Sequence, residues 1–468
     1  MNLPLNIPFP RRIKRTKRAG LGPRTGFTPE FQFDYSAEKG ISRRGIAPWL
    51  IEGFEHQQVD VDLSNLASHA GRALSAVETD WVNLAMAIYA ADRFASRRPG
   101  RSAGQTFWRR SISLRVAVVD RDLWEKAKPL ILTALSFLTD DKWSLQFSKR
   151  CLLLNEERQR HLFSSSPEQI PWVCLFSGGL DSLAGFKRLS RLSDSNGVLV
   201  SGWTHERLRV GQSDIVDAIR SARGKSLDWV PIYYGFPRIE NDGGMESSQR
   251  SRGWVHVALG LAAAFASHQD TLDVCENGIG AFNLPTELSQ TGSHTSRAMH
   301  PVFLHRIAQA ASIVFKRNLK VRQSAVFETK GELLTSTLSP SDANLAAKTF
   351  SCEIFPNYRA KEHQCGVCPS CLVRRASLHA AGIEDSGHLY ELDVMTQDVP
   401  PKKALGLIKM ERYARRISQC FGPLSSHDSA MWEYPEAASY FDEAAKSLDL
   451  SLDKYLSALR RTHQGFRS

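Results

Sequence analysis

The chain has 468 residues, of which 42% are hydrophobic and 23% charged, and this balance excludes a disordered protein. A chain of this length is longer than most chains that fold around a single hydrophobic core, so two or three domains are expected. The net charge of +11 favours phosphate-bearing partners such as nucleotides or nucleic acid, but it does not distinguish between them.

Residues 1–165 are predicted to form a mixed α/β domain preceded by a basic arm. The arm contains RRIKRTKR (11–18), with six basic residues, which fits a solvated tail or a contact with nucleic acid or an acidic partner. Hydrophobic periodicity beyond the arm indicates alternating helices and strands. The predicted helices cover 78–96 and 124–138, and the predicted strands cover 111–119 and 143–147.

The sequence predicts a cytoplasmic protein without a membrane partner. No apolar segment follows the basic cluster, as a secretory signal would require. The longest apolar window, 253–266, is shorter than the roughly 20 residues needed to cross a bilayer. A buried helix of a globular domain explains this window better.

A stretch rich in serine and proline, 164–171, is a predicted linker to a second domain over 166–390. Strands and helices alternate in this second part, which predicts a parallel sheet with helices on both faces. The predicted strands cover 172–176, 197–203, 228–235 and 271–278, and the predicted helices cover 183–192, 214–222 and 252–268. A third part, 391–468, is predicted to be a helical extension that includes a helix over 402–421.

The segment SGGLDS (177–182) lies between the first of these strands and the following helix. Ligands of parallel α/β sheets bind at such junctions, where unpaired N–H groups at the helix N-terminus attract phosphate. Gly178 and Gly179 would let the backbone approach a phosphate, and Ser177 and Ser182 add hydroxyl donors. Asp181 beside a phosphate makes sense if it positions a Mg²⁺ ion. The alternative is an ordinary turn in which Asp181 or Ser182 caps the helix.

Four cysteines lie within twenty residues, with the spacing C-x₁₂-C-x₂-C-x₂-C. In a reducing compartment this pattern indicates a metal site, and a closed set of four thiolates favours structural Zn²⁺ over an iron–sulfur cluster or a redox pair. The proposed ligands are Cys352, Cys365, Cys368 and Cys371. A helix is predicted over 372–382, with Arg374 and Arg375 expected to face solvent.

SGGLDS resembles the pyrophosphate loop of the N-type ATP pyrophosphatase (PP-loop) family. The resemblance implies a Rossmann-like, HUP-type sheet and a reaction in which ATP adenylates a carboxylate or a nucleobase carbonyl with loss of pyrophosphate. It assigns ATP and Mg²⁺ binding to the loop, Leu180 included, with Ser177 and Asp181 as catalytic residues. The segment QRSRG (249–253) offers Arg250 and Arg252 as further contacts to phosphate or AMP.

The cysteine arrangement, SC followed by CGVCPSC and a helix, resembles the QueC-type 7-cyano-7-deazaguanine synthases over residues 172–385. FETKGELL (327–334) resembles that family's Lys-x-Glu helix start, which makes Lys330 a candidate catalytic residue, with Glu332 in the matching place. The resemblance implies activation of the carboxylate of 7-carboxy-7-deazaguanine and its transfer to ammonia. Candidate substrate contacts lie in 276–285 and in 293–301, which supplies His294, Arg297 and His300.

The additional N-terminal and C-terminal parts give an architecture similar to the QueC-like component of Qat anti-phage defence systems. The segments that suggest this are 80–93, the pair Trp108 and Arg109, and 137–143. This similarity implies other proteins of a defence operon as partners, and transfer of the activated deazaguanine to an amine on one of them. The alternatives are a stand-alone synthase of queuosine-type biosynthesis, a PP-loop tRNA sulfurtransferase that uses Cys174, Cys275 or Cys420, and a scaffold that senses ATP without turnover.

Overall fold

A computed structural model gives the fold of the chain. It describes residues 30–36, 40–43, 56–97, 109–152, 170–192, 196–224, 227–236, 245–282, 296–355 and 364–410. The basic arm, Trp108, residues 283–285, His294, Cys420 and most of the predicted C-terminal extension lie outside these ranges. Of the helix predicted over 402–421, the described part is helical over residues 405–410.

The first sheet has five strands, which are β1 (Glu30–Ser36), β2 (Gly40–Arg43), β3 (His56–Gln57), β5 (Ser111–Val118) and β6 (Lys142–Lys149). Their order is β3-β2-β1-β5-β6. Strands β1, β5 and β6 run parallel, and β2 pairs antiparallel with β1. The alternating burial of β6, with Trp143 and Phe147 inside, shows that one face of this sheet covers a core.

The second sheet has six strands, which are β4 (Asp60–Asp62), β7 (Val173–Leu175), β8 (Val198–Trp203), β9 (Asp228–Gly235), β10 (Thr271–Val274) and β11 (Lys320–Gln323). Their order is β11-β10-β7-β8-β9-β4. All pairs of neighbouring strands are parallel except β4 with β9. The prediction of an α/β fold with a mainly parallel sheet is therefore confirmed.

Eleven α-helices lie wholly within the described residues. They are α1 (Ser64–Ala70), α2 (Ala76–Phe94), α3 (Arg121–Thr139), α4 (Leu180–Leu192), α5 (Glu206–Arg223), α6 (Arg252–Ala266), α7 (Gly278–Phe282), α8 (Pro301–Phe315), α9 (Lys330–Thr337), α10 (Ala343–Lys348) and α11 (Pro369–Ala380). No helix in the described part of the chain combines the length and the apolar character that crossing a membrane requires.

Strand β7 is the topological switch point of the second sheet. The chain runs from β7 through β8 to β9 on one side, and then crosses back to β10 and β11 on the other side of β7. A crevice forms above the carboxyl ends of strands where the order reverses in this way, and ligands of open α/β sheets bind there. The SGGLDS segment begins directly after Phe176, at this position.

The N-terminal part and the second sheet share one hydrophobic core. Helix α2 packs against α6, and α3 packs against α8. At the centre Trp81 is buried, donates from Nε1 to the carbonyl oxygen of Ala258 at 3.0 Å, and stacks on Trp124. Because β4 also extends the second sheet, the N-terminal part contributes to the structure that carries the site.

Buried charges join α2 to the start of α6. Arg110 is fully buried between Asp92 (2.5 Å) and Asp141 (2.6 Å). Burial alone would raise the pKa of Asp92, but Arg110 and the bonds from Ser251 hold it below its usual value. The residue next to Ser251, Arg250, therefore lies at the edge of this buried charge cluster.

Candidate functional site

The loop after β7 has the geometry of a tight turn into a helix N-terminus. Gly178 adopts φ +85°, a region that side chains disfavour, and α4 begins at Leu180. The side chain of Leu180 is fully buried in the hydrophobic core, so only its backbone N–H could serve a ligand. The turn therefore presents backbone N–H groups at the start of a thirteen-residue helix.

The two serines hold the loop in shape. Ser177 Oγ and Ser182 Oγ lie 2.7 Å apart, and the backbone N–H of Ser177 donates to Ser182 Oγ at 3.1 Å. The N–H of Gly179 donates to Ser177 Oγ at 3.2 Å. Ser182 is buried, whereas Ser177 is exposed at the rim of the turn. Of the two hydroxyls, Ser177 is thus the one accessible to a ligand.

Asp181 belongs to a cluster of charged and polar side chains from three separate segments. Lys330 Nζ, at the start of α9, donates to Asp181 Oδ2 at 2.5 Å. Asn277 Nδ2 donates to Asp181 Oδ1 at 3.0 Å and to Glu276 Oε1 at 3.2 Å. One amide nitrogen therefore holds two carboxylates side by side, just beyond the carboxyl end of β10.

Glu276 and Lys330 both have raised pKa values, but for different reasons. Burial and the negative charge of Asp181 raise the pKa of Glu276 to about 8, although Lys330 opposes the shift. Burial tends to lower the pKa of Lys330, but Asp181 and Glu276 outweigh it and raise that pKa overall. At neutral pH the cluster thus contains a permanent cation and a carboxyl group able to exchange a proton.

Helix α9 is fixed so that Lys330 points at Asp181. Thr329 and Glu332 form a capping box, in which Thr329 N–H donates to Glu332 Oε2 at 2.8 Å and Glu332 N–H donates to Thr329 Oγ1 at 3.1 Å. Arg188 on α4 donates to both carboxylate oxygens of Glu328 at 2.8 and 2.7 Å. The Lys-x-Glu pattern thus has two roles, with Glu332 capping the helix and Lys330 reaching the cluster.

Two of the predicted ligand contacts, Arg250 and Arg297, are hydrogen-bonded to the N-terminal part of the chain. Arg250 donates to the carbonyl oxygen of Thr139, and burial together with Arg97 lowers its pKa to about 10. Arg252 is exposed in the first turn of α6. Arg297 donates to the carbonyl oxygen of Phe137 at 2.8 Å. The bonds described for Arg250 and Arg297 thus lead to the N-terminal part of the chain rather than to SGGLDS.

His300, another proposed substrate contact, acts as the N-cap of α8. Its Nδ1 accepts from the N–H of Val302 at 3.2 Å. Burial and the positive charges of Arg297 and Arg306 lower its pKa to about 3, so the imidazole is neutral. The structure therefore gives His300 a role in starting a helix.

The four clustered cysteines form a site that could hold a metal ion such as zinc. Their Sγ atoms all lie within 4.8 Å of one another and are buried. Two of the separations are 3.9 Å, from Cys365 to Cys371, and 4.0 Å, from Cys368 to Cys352. A tetrahedron with Zn–S bonds of about 2.3 Å has edges of about 3.8 Å, so the donor set fits zinc. We call this group of four residues the cysteine knuckle.

The expectation that Arg374 and Arg375 face solvent is wrong. Arg374 is fully buried and donates to Thr349 Oγ1 at 2.6 Å and to the carbonyl oxygen of Ala346 at 2.7 Å. Arg375 pairs with Asp393 and with Asp385. Both side chains follow Cys371 on α11, and they fasten that helix to its surroundings.

None of the family models, curated proteins or solved structures with which the chain was compared matches it. The site is thus defined by its geometry: a glycine turn at a switch point, an adjoining cluster of two carboxylates and a lysine, and the cysteine knuckle. The sequence placed Glu276 and Asn277 together in the candidate substrate segment 276–285, but it did not predict their contact with Asp181. The signal for both was their position directly after a buried strand.

Proposed function

We propose that the chain is an ATP-dependent, AMP-forming enzyme in which SGGLDS binds the pyrophosphate part of ATP. The observation that carries the proposal is the placement of this glycine turn at the carboxyl end of β7, the switch point of the sheet, with Lys330 and two carboxylates converging beside it. Phosphates favour helix N-termini and cations, and Rossmann-like sheets of the HUP type bind nucleotides at this edge.

Each residue of the cluster has a role that follows from its charge. The backbone N–H of Leu180 and the hydroxyl of Ser177 would bind phosphate oxygens. Lys330 would leave its pairing with Asp181 to stabilise the negative charge that develops as pyrophosphate departs. Asp181 and Glu276 supply oxygen donors of the kind Mg²⁺ prefers, and Mg²⁺ bound there would neutralise the polyphosphate.

The proposed substrate is the carboxylate of a deazaguanine of the 7-carboxy-7-deazaguanine type. This assignment rests on the resemblance to QueC-type synthases, which places SGGLDS, Lys330 and the cysteine knuckle in one chain. A carboxylate oxygen is a poor leaving group, whereas AMP is a good one, so adenylation prepares the carbon for attack by ammonia or an amine. An amine on a partner protein of a defence operon is the acceptor that the larger architecture favours.

A sulfurtransferase reaction is less well supported. It requires an accessible thiolate outside the metal site, because the thiolate is the reactive form of cysteine. Cys174 and Cys275 are both buried, and burial raises the pKa of each thiol, with Asp273 adding to the effect at Cys174 and Asp181 at Cys275. Of the other two cysteines outside the metal site, Cys151 is exposed and follows β6 of the first sheet, and Cys420 lies outside the described residues.

Release of AMP and pyrophosphate tests the proposal. The purified chain is incubated with MgATP and 7-carboxy-7-deazaguanine, with and without ammonia, and Asp181→Ala and Lys330→Met are compared with Lys128→Met, a surface control on α3. We expect AMP release that depends on the deazaguanine and is lost in the first two variants only. Incubation with candidate partner proteins, followed by mass spectrometry, tests the acceptor: a partner that gains no deazaguanine mass excludes the conjugation.

A further inference from the structure

A four-residue segment joins the SGGLDS loop to the cysteine knuckle. We call residues Thr349–Cys352 the strap. At one end the N–H of Phe350 donates to the carbonyl oxygen of Gly178 at 3.1 Å. At the other end Cys352 is one of the four clustered cysteines. Only Ser351 separates the residue that bonds the loop from the residue that supplies a metal ligand.

The ring of Phe350 is wedged between the loop and α5. A Cβ atom at Gly178 would lie 2.4 Å from Phe350 Cζ, and one at Gly211 on α5 would lie 2.9 Å from Phe350 Cε1. The next residue on α5, Gln212, donates to the carbonyl oxygen of Ser177 at 3.2 Å. The absence of side chains at Gly178 and Gly211 thus leaves the space that the Phe350 ring fills. The loop is held by Phe350 and by the hydrogen bond from Gln212.

The knuckle end of the strap is held by neighbours of the cysteines. Gln364, which precedes Cys365, donates from Nε2 to the carbonyl oxygen of Thr349 at 2.9 Å and accepts from the N–H of Ser351 at 3.3 Å. Arg374, three residues after Cys371 on α11, donates to Thr349 Oγ1 at 2.6 Å. The backbone position of the strap therefore depends on where Gln364 and Arg374, the neighbours of Cys365 and Cys371, lie.

We propose that metal bound by the cysteine knuckle sets the shape of the SGGLDS loop through the strap, with Phe350 as the positioning residue. The inference rests on the proposed ATP function and assigns a control to that same site. Binding of zinc to four thiolates is coupled to the folding of the segments that carry them. Loss of the ion would let Gln364 and the strap move. The Phe350 ring would then leave its place between the loop and α5, and Gly178 would lose its hydrogen bond from the N–H of Phe350.

The test uses the full chain loaded with Zn²⁺ and the same chain stripped by a chelator, with zinc content measured in each. ATP affinity is measured by equilibrium dialysis, and hydrogen exchange reports on residues 177–182. Phe350→Leu is compared with Phe303→Leu, which truncates another buried ring on α8. Stripping should weaken ATP binding by about tenfold, the equivalent of about 1.4 kcal/mol, and speed exchange in the loop.

Phe350→Leu should keep its zinc but bind ATP about tenfold more weakly, with little further loss on stripping. Phe303→Leu should respond to stripping as the unaltered chain does. If the zinc-loaded chain does not bind ATP, the proposed function itself fails. If it binds ATP and the stripped chain, still folded by circular dichroism, binds equally well, the inference is wrong and the function stands. Should stripping unfold the chain, unchanged ATP affinity in zinc-loaded Phe350→Leu overturns the inference.

Discussion

Gly178→Ala is the change that most sharply tests the geometry of the loop. At φ +85° an L-residue costs about 1–2 kcal/mol in backbone conformation. The new Cβ would also lie 2.4 Å from Phe350 Cζ, and relieving such a clash in a packed region costs about 1–3 kcal/mol more. The expected loss in the free energy of unfolding is therefore about 2–5 kcal/mol.

Gly224→Ala is the matched control. Gly224 also has a left-handed backbone, with φ +61°, but a Cβ there would meet nothing within 4 Å, so only the backbone cost of about 1–2 kcal/mol applies. Denaturant unfolding followed by tryptophan fluorescence gives both values, and ATP affinity is measured alongside. Adding Phe350→Leu to Gly178→Ala should recover part of the lost stability. Equal losses in the two single variants, with ATP binding intact in Gly178→Ala, would refute the described contact between loop and ring.

Three further predictions concern the buried charges, the site carboxyl group and the metal. Arg110→Met should lower the unfolding free energy by about 3–5 kcal/mol because it removes the ion-pair partner of the buried Asp92, whereas Lys128→Met, in a surface pair, should change it by less than about 1 kcal/mol. The native pKa of Glu276 is raised to about 8, so the folded chain keeps a proton that the unfolded chain releases, and the free energy of unfolding should fall as pH rises from the ordinary glutamate pKa to about 8. Glu276→Gln should flatten this pH dependence in denaturation curves, and an unchanged dependence would contradict the shift. Cys365→Ser should lose bound zinc by elemental analysis while Cys151→Ser, an exposed cysteine, keeps it, and equal zinc content in both would exclude the cysteine knuckle as the binding site.

The order of elements in the second sheet was predictable because each element has a local signature. The apolar run before SGGLDS forms β7, and the strands expected over 197–203 and 228–235 are observed as Val198–Trp203 and Asp228–Gly235. Helix α5 begins at Glu206, eight residues before its predicted start at 214. The prediction missed its first turns because they are largely polar and lack the apolar stripe on which the prediction relied.

Long-range pairing had no such local signature. Strand β4 has three residues, yet it crosses from the N-terminal part to pair with β9, and α2 shares a core with α6. The same limit applies to side chains. From their charges, Arg250 was expected to contact a ligand and Arg374 to face solvent. In the structure Arg250 donates to the carbonyl oxygen of Thr139, and Arg374 donates to Thr349 Oγ1. Lys330 was expected in the site from its pattern, whereas Glu276 joins it only through the register of β10 beside β7.

Transfer of oxygen from substrate to AMP would test the central claim most directly. The chain is incubated with MgATP, an amine acceptor and 7-carboxy-7-deazaguanine labelled with ¹⁸O in its carboxylate, and the AMP is analysed by mass spectrometry. If the carboxylate is adenylated and the amine then displaces AMP, the AMP must carry one ¹⁸O atom, and Asp181→Ala must abolish its formation. AMP without the label, or ADP in place of AMP, would contradict adenylation of the carboxylate at this site.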